Sequence, residues 1–270
     1  MELIKSMGDV ENLKDNKIIG NPEFSNSVII FKGKDNIVFC EGNVNLNNSN
    51  LSFEGSNSLI YLSSAQNNPY SLNLVIYNNS TFFIGRDNNI IPPIHINVQE
   101  NQNVVIGGGG TISSSVKVRT SDIHAIYDNE SKSRVNHAGS VFIGDHVCLG
   151  HLCYISRGVK IGSGAIVDNF SFVPHDTVVK SNSLVVGNPA HVEKDNVFFT
   201  TNYLNHYTPE DSLNSDFYKS NIFIYELTNQ ETLDLDKIDI ILKNLDVYSR
   251  LEFVQKLFVN CKRKNRFTIK

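Results

Sequence analysis

An aliphatic residue recurs at every sixth position through the centre of the chain. The unbroken series consists of Ile143, Leu149, Ile155, Ile161, Val167, Val173, Val179 and Val185. Small or β-branched residues stand four places after each of the first seven members, namely Val147, Cys153, Val159, Ala165, Ser171, Thr177 and Ser183. A period of six matches neither the 3.6 residues of an α-helical turn nor the two-residue alternation of a strand. It predicts a solenoid of short strands with the aliphatic residues inside, whereas a β-sandwich of short strands is the alternative.

The same spacing extends upstream in two shorter runs. Their members are Ile84, Ile90 and Ile96, followed by Ile106, Ile112, Val118 and His124. Residues 125–140 then interrupt the period, which predicts a loop that leaves the coil. Residues 24–83 alternate apolar and polar positions between turns rich in Asn, Ser and Gly, which is typical of short strands. We therefore predict that residues 24–100 form irregular coils of the same solenoid, and a separate sheet domain is the alternative.

Beyond residue 197 the pattern becomes helical. One apolar face contains Leu235, Ile238, Ile241, Leu242 and Leu245, and a second contains Leu251, Val254, Leu257 and Phe258. These spacings predict two packing helices, and Thr228 with Glu231 and Ser249 with Glu252 have the spacing of capping boxes. The predicted organisation is an N-terminal segment 1–23, a solenoid domain 24–196 with its loop at 125–140, and a helical extension 197–270.

Composition and charge exclude several classes of protein. A net charge of −4 and a pI near 6.1 give no general attraction to nucleic acid or to an acidic membrane surface. An apolar fraction of 40% argues against disorder. The four cysteines lack CxxC spacing, which favours reduced thiols. Because the N-terminus lacks an apolar signal core and no stretch approaches the roughly 20 apolar residues of a membrane span, we expect a cytoplasmic protein.

The repeat and the GNPA segment that closes it, Gly187 to Ala190, resemble the hexapeptide-repeat acyltransferases over about residues 104–194. Within that stretch, Arg119 to Asp128 (RTSDIHAIYD) resembles the sugar and capsular-polysaccharide O-acetyltransferases. The resemblance implies an all-β, left-handed parallel β-helix that moves an acetyl group from acetyl-CoA to a carbohydrate hydroxyl. It also implies a homotrimer with its sites between subunits and no metal ion.

His124 is the candidate general base. Transfer from a thioester to a hydroxyl requires removal of the hydroxyl proton, and a neutral imidazole can accept it. In the galactoside and maltose acetyltransferases a segment centred on a catalytic histidine precedes the repeat by the same distance, and His124 occupies that place here. Asp122 or Asp128 could accept the other ring N–H. We favour Asp122, although a turn-forming aspartate beside Ser121 is the alternative.

The resemblance also suggests residues for the acceptor and the donor. Arg119, Ser121 and Tyr127 are expected at the acceptor site. The residues expected along the donor groove are Cys148, His151, Asn169, Pro174, His175, His191 and Lys194. Exposed coil positions without a ligand are the alternative for each of them.

Two donor positions depart from the family pattern. Cys148 stands where a tryptophan is common, and the chain contains no tryptophan. An aromatic cover for the donor must therefore come from another position. His191 stands where a basic residue commonly follows the GNPA segment, which weakens charge pairing with a CoA phosphate.

Three other functions remain open from the sequence. The same chemistry would serve N-acetylation of an amino sugar or a nucleotide sugar. A non-catalytic scaffold or polymer-binding module would use the solenoid without the base. His146 and His151 have the spacing of two zinc ligands in solenoid carbonic anhydrases, but His124 and His95 fit poorly as the third ligand.

Overall fold

The computed structural model describes residues 1–65, 69–228, 231–261 and 263–270. A 3₁₀ helix, Met7–Asn12, lies between the first two strands. The strands are β1 (Glu2–Ile4), β2 (Lys17–Ile19), β3 (Glu23–Ser25), β4 (Val28–Phe31), β5 (Ile37–Cys40), β6 (Asn45–Asn47), β7 (Asn50–Phe53), β8 (Leu59–Leu62), β9 (Leu72–Ile76), β10 (Thr81–Ile84), β11 (Asn89–Ile90), β12 (Ile94–Val98), β13 (Asn103–Ile106), β14 (Thr111–Ile112), β15 (Lys117–Arg119), β16 (Val141–Ile143), β17 (Cys148–Leu149), β18 (Tyr154–Ile155), β19 (Lys160–Ile161), β20 (Ile166–Val167), β21 (Phe172–Val173), β22 (Val178–Val179), β23 (Ser183–Val186) and β24 (His191–Asp195).

These strands stack into the three sides of a triangular coil. Face A has the order β4-β7-β9-β12-β15-β18-β21, face B has β2-β5-β8-β10-β13-β16-β19-β22, and face C has β11-β14-β17-β20-β23. Neighbours within each face are parallel, while β1 and β24 add antiparallel edges to faces A and C. The chain visits the faces in the order B, C, A, and β3 and β6 take the place of face C in the first coils. The fold is the predicted left-handed parallel β-helix, and the parallel pairing contradicts the β-sandwich alternative.

The six-residue series lies inside the coil, as predicted. On face B, Ile106 pairs with Ile143, Ile143 with Ile161, and Ile161 with Val179. All eight members of the unbroken series are at most 3% exposed. Stacking like residues in register buries a continuous aliphatic core along the axis, because each coil covers the apolar ends of its neighbour.

The coils before the loop are longer than hexapeptide coils and differ slightly in length. Most equivalent residues of successive coils lie 22 positions apart there, as in the side-chain bond from Asn57 Nδ2 to Asn79 Oδ1 at 2.8 Å. The spacing is 20 between β2 and β5 and 23 between β7 and β9, and it is 18 after the loop. Asn57, Asn79 and Asn101 have φ values of 57°, 51° and 56° at the A/B corner, where asparagine tolerates the left-handed region. These coils are therefore less uniform in length than the hexapeptide coils after the loop. Residues 24–100 nevertheless belong to the same sheets as the hexapeptide coils, and the first parallel strand already begins at Lys17.

The C-terminal extension covers face B. It contains a 3₁₀ turn (Leu204–His206), α1 (Pro209–Asn214), α2 (Leu235–Asn244), α3 (Val247–Val254) and a π-helical turn (Gln255–Val259). Apolar residues of α2 and α3 form a second core with outward-facing Tyr61, Phe83 and Phe142 of face B. The predicted packing helices are present, but their caps differ. Asp234 and Asp246 accept the first backbone N–H bonds, because α2 begins at Leu235 and α3 at Val247. No helix in the described residues is both long and apolar enough to cross a membrane.

Candidate active site

The chain leaves the coil at the A/B corner between β15 and β16. The backbone N–H of Gly139 donates to Thr120 O at 3.0 Å, which closes the neck of the excursion. Gly158 N–H in turn donates to Gly139 O at 3.0 Å, which attaches the neck to the next coil. Beyond the neck, Tyr127 and Arg134 form an antiparallel bridge. Residues 120–140 thus form a short projecting loop on a rigid corner, and we call them the corner loop.

His124 lies near the start of the corner loop with an exposed side chain. Its backbone is held by Asn136, a residue that is 2% exposed. The Asn136 Nδ2 group donates to the carbonyl oxygen of His124 at 2.9 Å. An exposed imidazole on a fixed backbone is a suitable arrangement for a base that must reach a substrate hydroxyl.

Asp122 has different partners from those expected. Its Oδ2 accepts from Asn136 Nδ2 at 2.8 Å and lies 3.4 Å from Nε of Arg157. The hydrogen bond from Asn136, followed by that from Arg157, holds the pKa of Asp122 below its ordinary value. Among the described residues no hydrogen bond joins Asp122 to the His124 ring, so the expectation that it fixes the imidazole tautomer is not met. Asp128, the alternative partner, instead accepts from the backbone of Glu130 and Ser131 in a turn.

The three predicted acceptor residues surround the same corner. Ser121 is buried, and its hydroxyl donates to Gln99 Oε1 at 2.6 Å, so it supports the loop in this structure. Tyr127 is exposed farther out on the loop. Arg119 ends β15 on face A, where it lines a shallow cleft together with His95 and Lys117. The structure therefore brings Arg119 and Ser121 close to the neck of the loop and leaves Tyr127 at its outer part.

The predicted donor residues are divided between separate edges of the solenoid. His151 and Asn169 stack at the C/A corner, where Asn169 Oδ1 accepts from the His151 backbone N–H at 2.7 Å. Pro174 and His175 lie at the A/B corner, between β21 and β22. The remaining donor residues are Cys148, in β17 of face C, and His191 and Lys194, which are exposed on β24. A single chain therefore does not bring these residues into one groove.

No protein-family model matches the chain. A polysialic acid O-acetyltransferase from Escherichia coli O1:K1 / APEC is 30% identical over 134 residues, which cover 50% of this chain and 43% of the relative. A polysialic acid O-acetyltransferase from Neisseria meningitidis is 35% identical over 63 residues, which cover 23% of this chain and 29% of the relative. The matches thus span less than half the length of these curated relatives.

Two crystal structures have the same architecture over most of their length. The polySia-specific acetyltransferase NeuO superposes with a TM-score of 0.60 and 25% identity, covering 74% of this chain and 97% of that chain. The polysialic acid O-acetyltransferase OatWY superposes with a TM-score of 0.58 and 21% identity, covering 75% and 96%. The chain shares the left-handed β-helix fold of these two acetyltransferases, and part of it is similar in sequence to the curated polysialic acid O-acetyltransferases.

The geometry of the solenoid disfavours the zinc alternative. His146 lies at the B/C corner, between the rings of Phe199 and Phe223 at centroid distances of 4.0 and 4.1 Å. Its two ring nitrogens lie 3.0 Å from the carbonyl oxygens of Gly109 and Phe199. His151 lies at a different corner, and across the described ranges no three His, Cys, Asp or Glu side chains converge as metal ligands would.

Three residues near the predicted site stand out only in the folded structure. Asn136 and Arg157 contact the segment that carries His124, although both are distant in sequence. Asn136 lies 12 residues after His124, and Arg157 lies 35 residues after Asp122. Phe170 is exposed at the C/A corner, edge-on to His151 at 5.7 Å. The sequence contained one usable signal, because Phe170 places a large aromatic residue beside a predicted donor residue, Asn169, at a bend.

Proposed function

We propose that this chain transfers an acetyl group from acetyl-CoA to a hydroxyl of a surface polysaccharide, with His124 as the general base. The observation that carries the proposal is the position of His124, exposed on a loop whose neck is hydrogen-bonded to the A/B corner. The relatives named for O-acetylation of polysialic acid support the reaction and the class of acceptor.

The chemistry requires little beyond geometry. The acceptor oxygen attacks the thioester carbonyl carbon while its proton passes to the imidazole of His124. The carbon–sulfur bond then breaks, the thiolate leaves, and the imidazolium returns the proton to it. A backbone N–H of the coil can stabilise the oxyanion that forms between these steps. The scheme needs no serine or cysteine nucleophile.

The division of the donor residues supports a site shared between subunits. In one chain face A separates the His124 corner from the corner that carries His151 and Asn169. In a closed homotrimer the C/A corner of one subunit would approach the A/B corner of the next, which would unite the two halves. Light scattering of the active protein tests this arrangement, because a stable and active monomer would contradict a shared site.

Phe170 is our candidate for the aromatic cover that the missing tryptophan would otherwise supply. It lies beside His151 at the predicted donor edge, and its φ of 61° is costly for an aromatic residue. Backbone conformations of this kind are often found at functional sites. We assign it to the pantetheine part of the donor.

The acceptor is expected to be an acidic polymer, as the names of the relatives indicate for those proteins. Lys117 and Arg119 give face A a local positive charge beside the corner loop, although the chain as a whole is acidic. The cytoplasm, which supplies acetyl-CoA, is the proposed compartment, and the formation of capsular or related polysaccharide is the proposed context.

The function is tested by free-thiol release from acetyl-CoA in the presence of purified acceptors. The panel should contain acidic and neutral capsular polysaccharides, lipopolysaccharide, an amino sugar and a nucleotide sugar, with mass spectrometry to locate the added acetyl group. We expect release to depend on a polysaccharide and the product to be an alkali-labile ester. Release with the amino sugar alone would assign N-acetylation. No release with any acceptor would favour a binding module and contradict the proposal.

A further inference from the structure

We propose that Asn136 is the residue that positions the catalytic segment of the corner loop, by fixing the backbone of His124 to the solenoid. The inference rests on the proposed function of His124. It assigns to Asn136 a role in setting the position of the base, without contact between Asn136 and the substrate.

The amide of Asn136 uses its full hydrogen-bonding capacity within the loop. Its Nδ2 donates to Asp122 Oδ2 at 2.8 Å and to His124 O at 2.9 Å. Its Oδ1 accepts from Ile126 N at 2.7 Å and from Arg134 Nε at 3.3 Å. An asparagine side chain offers two donor hydrogens and two acceptor positions, so all four are occupied. One side chain thereby holds the residues on both sides of the base.

Two ion pairs, Arg157 with Asp122 and Arg134 with Glu100, connect the Asn136 amide to the solenoid. Asp122 accepts from Asn136 and lies 3.4 Å from Nε of Arg157, whose Nη1 lies 3.6 Å from Asp176 Oδ2. Arg157 is 7% exposed and belongs to the coil corner itself. On the other side, Arg134 forms a two-point ion pair with Glu100 at 2.8 Å for each bond. The loop is therefore linked to the coil before it and to the coil after it through groups that meet at Asn136.

This arrangement matters because the His124 ring has no hydrogen-bond partner among the described residues. The position of the imidazole then depends on the backbone that carries it. A displacement of about 1 Å at a reacting group can reduce a rate by about 100-fold. A change at Asn136 should therefore affect kcat even though the chain keeps the base, the donor residues and the coil.

Asn88 provides the matched control, because it is a buried asparagine with a purely structural role. Asn88 is 3% exposed at the B/C corner. It donates to Gly85 O and Gly107 O and accepts from Gly110 N at 2.8–2.9 Å. It resembles Asn136 in burial and in hydrogen bonding but has no link to the corner loop. Asn88→Ala should lower the melting temperature and leave kcat nearly unchanged.

The experiment compares wild type, Asn136→Ala, Asn136→Asp, Asn88→Ala and His124→Ala in the full-length chain. Thiol release gives kcat and the acceptor KM, calorimetry gives the Kd for acetyl-CoA, and thermal denaturation gives stability. We expect both Asn136 variants to lose about 10- to 100-fold in kcat, with the donor Kd unchanged. Asn136→Asp retains the side-chain size and the acceptor for Ile126 N but loses both donors. If Asn136→Ala folds poorly, the kcat of Asn136→Asp therefore decides whether Asn136 positions the base.

The possible results distinguish a failure of the Asn136 inference from a failure of the proposed function. Wild-type kcat in Asn136→Asp together with an inactive His124→Ala would exclude Asn136 as a positioning residue and leave the proposed base intact. Wild-type kcat in His124→Ala would instead contradict the proposed function, whatever the Asn136 variants do. A fall in kcat of Asn88→Ala as large as that of Asn136→Ala would show that the effect is general destabilisation, which also overturns the inference.

Discussion

Arg266 and Asp145 form a two-point ion pair that joins the C-terminal segment to the B/C corner of the solenoid. Nε of Arg266 lies 2.7 Å from Oδ2 and Nη2 lies 2.7 Å from Oδ1, although the residues are 121 positions apart. Both side chains are largely buried, with 11% and 17% exposure. Arg266, in the basic C-terminal tail, therefore makes a long-range contact with the solenoid.

Asp145→Asn should destabilise the protein by about 2 kcal/mol, because it leaves the guanidinium buried without a counter-charge. The measurement is the free energy of unfolding in urea. Asp236→Asn is the matched control, since it breaks the more exposed ion pair between Lys160 and Asp236. Exposed pairs contribute little. Equal effects of the two changes would contradict the importance of the Arg266 contact.

Ile161→Asp should prevent folding, because it places an unpaired carboxylate inside the coil, where Ile161 is 1% exposed. The expected loss is about 4 kcal/mol or more, and the readout is the yield of soluble protein. Val178→Asp is the control, because Val178 pairs with Lys160 on the neighbouring strand and is 55% exposed. If Ile161→Asp remained folded and active, the assignment of the interior positions would be incorrect.

Phe170→Asn should stabilise the protein by about 1 kcal/mol, because asparagine adopts the left-handed region more readily than phenylalanine. The same change should weaken acetyl-CoA binding if Phe170 covers the donor. Urea unfolding and calorimetry measure the two effects. Phe217→Asn is the control, since Phe217 is also exposed but lies outside the left-handed region. Unchanged donor affinity in Phe170→Asn would remove Phe170 from the proposed site.

His124→Ala should reduce the rate of acetyl transfer by about 100-fold or more, the scale of a lost general base. Binding of acetyl-CoA should change little, because the donor residues remain. Thiol release with an identified acceptor and calorimetry of the donor provide the test. His137→Ala is a useful control, since His137 is an exposed histidine of the same loop. Near-wild-type turnover in His124→Ala would exclude this residue from the mechanism.

The wild-type transfer rate should fall as the pH decreases from about 8 to 5, where histidine side chains gain a proton. Protonated imidazole cannot accept the hydroxyl proton. The corner loop should keep its structure over this range, because the hydrogen bond from Asn136 holds the pKa of Asp122 below its ordinary value. A lowered folded pKa means that the stabilising contribution is present above the ordinary value and is lost only as the pH falls through the folded value. Protease protection of the loop at pH 5 and its loss under stronger acid would confirm this order, and loss of protection together with activity would contradict it.

The sequence alone determined the solenoid, its interior positions and the candidate base. A repeat of six residues specifies which side chains face inward, because each coil covers the next in the same register. Ile84, Ile90 and Ile96 follow the rule as well and are buried on faces B, C and A of one coil. The family resemblance, and not the repeat alone, identifies His124 as the candidate base.

Only the tertiary structure decided what surrounds that base. Asn136 lies 14 positions from Asp122, and Arg157 lies 35 positions from it across a loop of irregular backbone. No local periodicity specifies such pairs. The same limit applies to Arg266, which reaches Asp145 only because the C-terminal helices pack on face B. Interior packing repeats with the coil and can be read from a short window of sequence, whereas hydrogen bonds between distant segments depend on where the folded chain places them.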